Sequence, residues 1–340
     1  MMLTQLFSAL RQHAPVIVAG VLLASAAGLY AQQSNPATPM APKAYPNKPV
    51  HLVVTFPPGG GTDLLARKLA AQLERKWGQS WIVENRPGAS GNIGARWVAS
   101  APADGYTLLM VNSSFAINPG VFDALEFDPK LDFTAVANVA YVPSVFVTAP
   151  QSDVHTMADA LQLAQSAEGV HFASCGNGTP QHLAGGLLQG LGASNLLHVP
   201  YKGCGPALTD VMAGQVTLGI VTLSSASALI EAGRLRALAV TSPQRHHTLP
   251  QVPSVAQALG QQYELDQWHG VLAPAGTPVE VVEKLNNTIN EIVAQTPIRT
   301  DLEALGYTLT AQPAREFQDI VWRDIDRFMA LTDTMGLRAQ

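Results

Sequence analysis

From residue 50 onward, short unbroken apolar runs alternate with segments whose apolar residues recur every three or four positions. The first pattern suits strands buried on both faces and the second suits amphipathic helices. VHLVVTF at 50–56 is a strand of the first kind, and a glycine-rich turn leads from it into a helix over 62–77 with Leu65, Leu69 and Leu73 on one face. Strands at 81–84 and 106–111 flank a helix at 93–100. A second set starts with a helix at 156–167, closed by Gly169, and a strand at 170–174. Thr179 then precedes Pro180, the pattern of an N-cap and a first helical position. Strand 196–199, helix 206–213, strand 216–221, helix 225–232 and strand 236–241 continue the alternation. A helix over 278–294 opens with Thr277-x-x-Glu280, the spacing of a capping box, and 313–334 is the last helix.

Two longer β-rich stretches interrupt this rhythm, one at 133–147 with Pro143 inside it and one at 263–273. Strand–helix alternation with short loops predicts an α/β fold whose sheets are mostly parallel and covered by helices. The interruptions lie on either side of a compact α/β block, which predicts two lobes joined by two extended hinge crossings. The expected lobes are 45–147 with 263–340, and 148–262.

The first residues follow neither pattern. Arg11 is the only charge before Lys43, and it precedes the apolar run at 15–29, PVIVAGVLLASAAGL. A basic start, an apolar core of this length and small residues after it describe a secretory signal peptide. The run is shorter than the ~20 residues of a membrane-spanning helix, although an uncleaved N-terminal anchor is the competing reading. Cleavage after Ala27 or Ala31 is expected, giving a leader over 1–31, a linker over 32–44 and a periplasmic protein. No cysteine near either point offers a lipid anchor.

Composition narrows the function. The chain has 340 residues, 20 basic and 25 acidic side chains and a net charge of −5, with 6% aromatics. A nucleic-acid binder normally carries a basic excess, so none is expected as partner. Two cysteines cannot build a four-cysteine metal site, and no His-x-x-x-His pair is present, so neither metal nor cofactor is expected.

The candidate chemistry lies in the loops between strands and helices. PPGGGTD at 57–63 leads into a helix, and its glycines (Gly59, Gly60 and Gly61, after Pro58) let backbone N–H groups approach a ligand. A helix N-terminus favours an anion there. Thr62 offers a hydroxyl, and Asp63 either braces the loop or faces a donor on the ligand. The segment matches no nucleotide-binding glycine motif. Arg86, in NRPGASGNIGA at 85–95, is either a bidentate carboxylate holder or half of a structural ion pair. Ser113 and Ser114 follow the third strand, at the carboxyl edge where parallel sheets bind ligands. In the second block, SCGNGTPQH at 174–182 contributes Gly176, Asn177, Gly178, Thr179 and His182, and VPYKGCGP at 199–206 contributes Tyr201, Lys202 and Gly203. A structural role for His182 competes with a ligand role. A hydrolase built on Cys175, Ser113 or Ser114 is the alternative function, although no G-x-S-x-G elbow is present.

Cys175 and Cys204 each follow a strand of the second block. Consecutive parallel strands are often neighbours, and an exported chain with two cysteines usually pairs them, so a Cys175–Cys204 disulfide is expected. Two buried free thiols are the competing reading.

Taken in order, PPGGGTDLLAR, NRPGASGNIGA, ADGYTLL, GNGTPQHLAG, VPYKG, RLRALAVTS and WHGVLAPAGTP resemble the Bug family, the extracytoplasmic solute receptors of tripartite tricarboxylate transporters. The resemblance runs from about Tyr45 to the C-terminus. It implies a periplasmic, non-enzymatic, two-lobed receptor, expected as a monomer, that closes on a small mono- or dicarboxylate and delivers it to membrane permease subunits. A receptor that signals to a membrane sensor would use the same cleft. The loops that match the family's ligand loops are 57–63, 176–182 and 201–203. Ser254 and Gln257 stand where Thr and Glu are commoner in the family, and Thr222 where an acidic residue is frequent; the second departure bears on whether a ligand amino group is accepted.

Overall fold

The computed structural model describes residues 45–338. The expected leader and linker lie outside the described residues. Among those described, no helix is long and apolar enough to cross a membrane.

Strand β1 (Val50–Val54) is almost wholly buried, as its apolar run requires. Helix α1 (Gly61–Trp77) buries Leu65, Leu69 and Leu73 and stops at Gly78, whose φ of 66° supplies the left-handed cap. Next come β2 (Trp81–Asn85), α2 (Asn92–Ala99), β3 (Thr107–Asn112) and α3 (Ser114–Val121), the last of which the sequence pattern did not predict. Strand β4 (Phe133–Thr148) leads to α4 (Met157–Gln165), β5 (Val170–Ser174), α5 (Pro180–Gly190), β6 (Leu196–Pro200) and α6 (Cys204–Met212). Then follow β7 (Leu218–Thr222), α7 (Leu223–Glu231), β8 (Arg236–Val240), the short α8 (Val255–Leu259) and β9 (Asp266–Pro274). The chain ends with α9 (Val279–Ala294), α10 (Thr296–Glu303), the two-residue β10 (Thr308–Leu309) and α11 (Ala314–Thr334).

The fold is two-lobed α/β, and the two lobes repeat one plan. In the first, β2, β1 and β3 run parallel, β9 joins β3 antiparallel, and the front of β4 lies against β9. In the second, β6, β5 and β7 run parallel, the back of β4 joins β7 antiparallel, and β8 lies against it. Strand β4 therefore belongs to both sheets, as the long run at 133–147 foretold. Pro143 marks the switch: it pairs with Asp266 of β9, and Ser144 pairs with Thr222 of β7. A proline removes one ladder donor, which a strand changing partners can spare. The second extended stretch begins later than expected. Residue 265 is not yet in β9, but the Leu265 N–H donates to the Thr241 carbonyl at 3.0 Å and ties the lead-in to the second lobe.

The capping box expected before α9 does not form. Pro278 is the N-cap, and the Thr277 hydroxyl donates to the Pro274 carbonyl at 2.8 Å. Trp268 of β9 anchors the first-lobe core, edge-on to Phe317 and donating to Asp324 Oδ2 at 2.9 Å.

Candidate functional site

Parallel strands that end on one edge, each followed by a helix, place helix N-termini side by side. Four of them meet here across the lobes. Gly60, Gly61 and Thr62 start α1; Gln181 is in the first turn of α5; Gly203 to Pro206 start α6; Thr222 precedes α7. Together with Phe56, Pro57 and Asn112 they line a partly open cavity of about 160 Å³ between the lobes. Lys202 is the only charged side chain in its wall, and it enters no ion pair among the described residues.

The hydroxyls and amides of the wall hold one another. Thr62 Oγ1 lies 3.2 Å from His269 Nε2 and accepts from Asn112 Nδ2 at 3.4 Å. Thr222 Oγ1 accepts from Gln181 Nε2 at 3.1 Å and from Gln267 Nε2 at 3.4 Å, and Gln181 also donates to Ser144 Oγ at 2.9 Å. Burial drives His269 down to about 3, so it is neutral near pH 7.

A second chamber of about 580 Å³ adjoins the first. The two share Phe56, Pro57, Cys175, Lys202 and Gly203. At the waist between them Gly203 lies against Pro57: a Cβ there would sit 3.3 Å from the proline ring, and its φ is 103°. Cys175 and Cys204 form the expected disulfide, with Cα atoms 4.3 Å apart. This removes Cys175 as a nucleophile and corrects the hydrolase alternative built on it.

The residues singled out from the sequence divide into three groups. Pro58, Gly59, Gly60, Gly61, Thr62, Lys202 and Gly203 line the inner cavity, with Lys202 and Gly203 shared by the outer one. Gly176, Asn177 and Tyr201 line only the outer chamber, and the Tyr201 hydroxyl is turned to Asp210 Oδ2 at 2.5 Å. The others line neither. Asp63, 2% exposed, accepts from the Gly59 N–H at 2.9 Å, Arg67 Nε at 3.0 Å and Asn85 Nδ2 at 2.8 Å. Burial alone would raise its pKa, but hydrogen bonds from Arg67, Gly59 and Asn85 outweigh burial and hold it below the usual value. The carboxylate braces its own loop, the first of the two alternatives. The Arg86 guanidinium stacks on Trp97 at 3.9 Å and donates to Glu84 Oε2 at 3.2 Å, the structural pairing rather than the open fork.

Ser113 Oγ accepts from the Trp268 N–H at 2.9 Å, and the Ser114 hydroxyl is buried; neither hydrogen-bonds a histidine. Thr179 caps α5, accepting from the His182 N–H at 3.3 Å and donating to the Gly176 carbonyl at 2.7 Å. His182 Nδ1 accepts from the Gly178 N–H at 3.3 Å, and its ring stacks on His198 at 4.1 Å. Burial lowers His182 to about 4, and burial together with His182 lowers His198 to about 3. Gly178 itself packs against the other lobe, where a Cβ would meet Asn118 Oδ1 at 2.4 Å.

Asn112, Gln181 and Phe56 are wall residues that the sequence did not single out, and Thr222 entered only as a departure from a pattern. Asn112 and Thr222 are the final residues of β3 and β7, so the carboxyl-edge rule reaches them when strand ends are placed correctly. Nothing local marks Gln181 over its neighbour His182.

The model of the tripartite tricarboxylate transporter family receptor matches residues 65–337. Protein BugT of Bordetella pertussis is 32% identical over 314 residues, 92% of this chain and 96% of that one. The solved structure of R. palustris Rpa4515 with adipate superposes with a TM-score of 0.83 at 35% identity, covering 86% of this chain and 98% of that one. MatC (Rpa3494) from Rhodopseudomonas palustris with bound malate gives 0.78 at 28% identity, covering 84% and 99%.

Proposed function

This chain belongs to the tripartite tricarboxylate transporter receptor family, and on that premise we propose that it captures a small mono- or dicarboxylate in the inner cavity and hands it to the membrane subunits of such a transporter. One observation carries the reading: N-termini of four helices from both lobes converge on one cavity whose only charged side chain is a lysine. The first N–H groups of a helix have no partner within it, and each N-terminus carries roughly half a positive charge. Attraction must be local, because the chain as a whole is net acidic at −5 and repels anions at a distance. Adipate and malate, bound by the two related structures, are both dicarboxylates.

In this reading Gly60, Gly61, Thr62, Gly203 and Lys202 hold the carboxylate, and Asn112, Gln181 and Thr222 orient it. Asp63, Thr179 and His182 fix the loops that present those groups. The lobes over 45–147 with 263–340 and over 148–262 close about the two extended crossings, and ligand between them favours the closed form by its differential affinity. The protein works as an exported monomer freed of its leader, cut after Ala27 or Ala31, and the cleft binds without catalysing.

A thermal-shift and calorimetry screen of aliphatic and aromatic carboxylates tests the proposal. Ligand at 100 Kd is expected to stabilise the protein by ~2.7 kcal/mol. Absence of any shift, together with turnover of an ester or amide, would replace the receptor by an enzyme. Uptake restored in vesicles carrying the membrane subunits separates delivery to a permease from signalling to a sensor.

A further inference from the structure

We infer that the outer chamber is a subsite for the ligand's tail, and that the preferred ligand is a carboxylate with an apolar chain or ring of about six carbons or more and no ammonium group. The inference rests on the carboxylate reading of the inner cavity and goes beyond it by naming the class of ligand.

Size is the first argument. A cavity of about 150 Å³ accommodates a benzene ring, so the inner space of about 160 Å³ holds a carboxylate head and a few carbons. The chamber beyond the waist is more than three times larger. The waist itself is the approach of Gly203 to the Pro57 ring, where neither residue has a side-chain hydrogen bond that a hydrocarbon chain would have to break.

The chemistry of the outer wall is the second. Its apolar face is made by Phe56, Pro57, Pro87, Phe122, Pro200 and the Cys175 half of the disulfide. Its hydroxyls are engaged elsewhere: Ser90 donates to the Asn177 carbonyl, Tyr201 to Asp210 and Thr55 to the Met110 carbonyl. Apart from Lys202 at the boundary with the inner cavity and Asn177, what remains toward the space is mostly hydrocarbon, which rewards an apolar tail. Neither chamber contains a carboxylate, because Asp63 is consumed by its own loop and Thr222, at the end of β7, is neutral. A ligand ammonium would be desolvated there with no counter-charge.

The third is the roof. Ala89 and Ser90 both adopt left-handed backbone, with φ of 46° and 52°, a conformation that side-chain-bearing residues rarely take. They are held in it by Asn118 Nδ2, which donates to the Ser90 carbonyl at 3.1 Å, and by the bond from Ser90 to the other lobe. Both residues line the outer chamber and neither lines the inner one. Strain maintained by a cross-lobe contact at that place is accounted for by a ligand part that reaches it.

Calorimetry with butanoate, hexanoate, octanoate, 3-phenylpropanoate and phenylalanine on the mature chain tests this. Affinity is expected to rise by up to about fourfold for each methylene that becomes buried between butanoate and octanoate, with 3-phenylpropanoate in the upper range and phenylalanine not binding. Pro87→Trp, which fills the outer chamber, and Phe122→Ala, which removes part of its wall, should each weaken octanoate at least tenfold and leave butanoate within twofold. Butanoate binding also shows that each variant is folded. Equal affinity for butanoate and octanoate, octanoate unaffected by both variants, or phenylalanine binding as well as 3-phenylpropanoate would overturn the inference while leaving the carboxylate receptor intact. Failure of every carboxylate to bind the wild-type chain would remove both.

Discussion

The ligand loops of the two lobes solve one mechanical problem with different chemistry. Each follows a parallel strand of its sheet and must present backbone N–H groups at the mouth of a helix without collapsing. In the first lobe the brace is a buried carboxylate: Asp63 gathers the Gly59 N–H, Arg67 and Asn85, and α1 begins at Gly60 with no side-chain cap. In the second lobe the brace is covalent and neutral. The Cys175–Cys204 bond ties the loop after β5 to the loop after β6, Thr179 caps α5, and neutral His182 accepts from the Gly178 N–H. Glycine-rich loops are not rigid by themselves. What makes them a binding surface is the group that uses up their spare hydrogen bonds, and that group need not touch the ligand.

Among replacements, removing the covalent brace should have the largest effect. Cys175→Ala with Cys204→Ala is expected to lose ~3–4 kcal/mol in urea denaturation, given the 29-residue separation. Ligand affinity should fall too, because ordering two free loops then opposes binding. Unchanged stability would mean that Thr179 and His182 suffice and the two lobes are braced alike.

Acid should come next and act most on the second lobe. His182 and His198 stay neutral in the fold down to about 4 and about 3, whereas the unfolded chain takes up protons near 6.5. Stability from this source is full above about pH 6.5 and declines as pH falls, by on the order of 3 kcal/mol for His182 by pH 4. His269 in the first lobe, at about 3, adds a loss of the same sign. Asp266 at the strand switch works oppositely: burial, helped by Glu264, raises it to about 6, so its contribution is present at low pH and lost as pH rises through that value. Denaturation curves between pH 4 and 7.5 should show a net fall toward acid that is smaller in His198→Gln. A flat profile would contradict the neutral-histidine brace.

The carboxylate brace comes third. Asp63→Asn should cost ~1.5–3 kcal/mol at pH 7, the range for a lost hydrogen bond to a charged group, and leave the disulfide lobe intact by hydrogen exchange. Its contribution is present above the unfolded value of 3.8 and is lost as pH falls through the lower folded value.

The finest comparison sets two threonines against each other. Thr179→Ala removes a helix cap and should cost ~1 kcal/mol of stability. Thr62 caps nothing and faces Asn112 and His269 at the cavity, so Thr62→Ala should change ligand affinity more than stability. Equal stability losses in a thermal melt would erase the distinction.

The sequence alone determined the succession of strands and helices, because burial on two faces and burial on one face leave different apolar periods. It placed β5 at its observed residues, and the long crossing β4 to within one residue at its end. It also made the disulfide expected, since both cysteines follow neighbouring parallel strands. The tertiary structure decided which side chains turn toward the ligand space. Arg86 was taken by Glu84 and Trp97, Asp63 by Arg67 and Asn85, and Tyr201 by Asp210, residues two to 22 positions away. Gln181, Asn112 and Thr222 became cavity wall because strands of two lobes end opposite one another. Periodicity reports how much of a segment is buried. The direction of a polar side chain depends on the partner nearest its tip, and that partner is chosen only when the strands and helices of its lobe pack together.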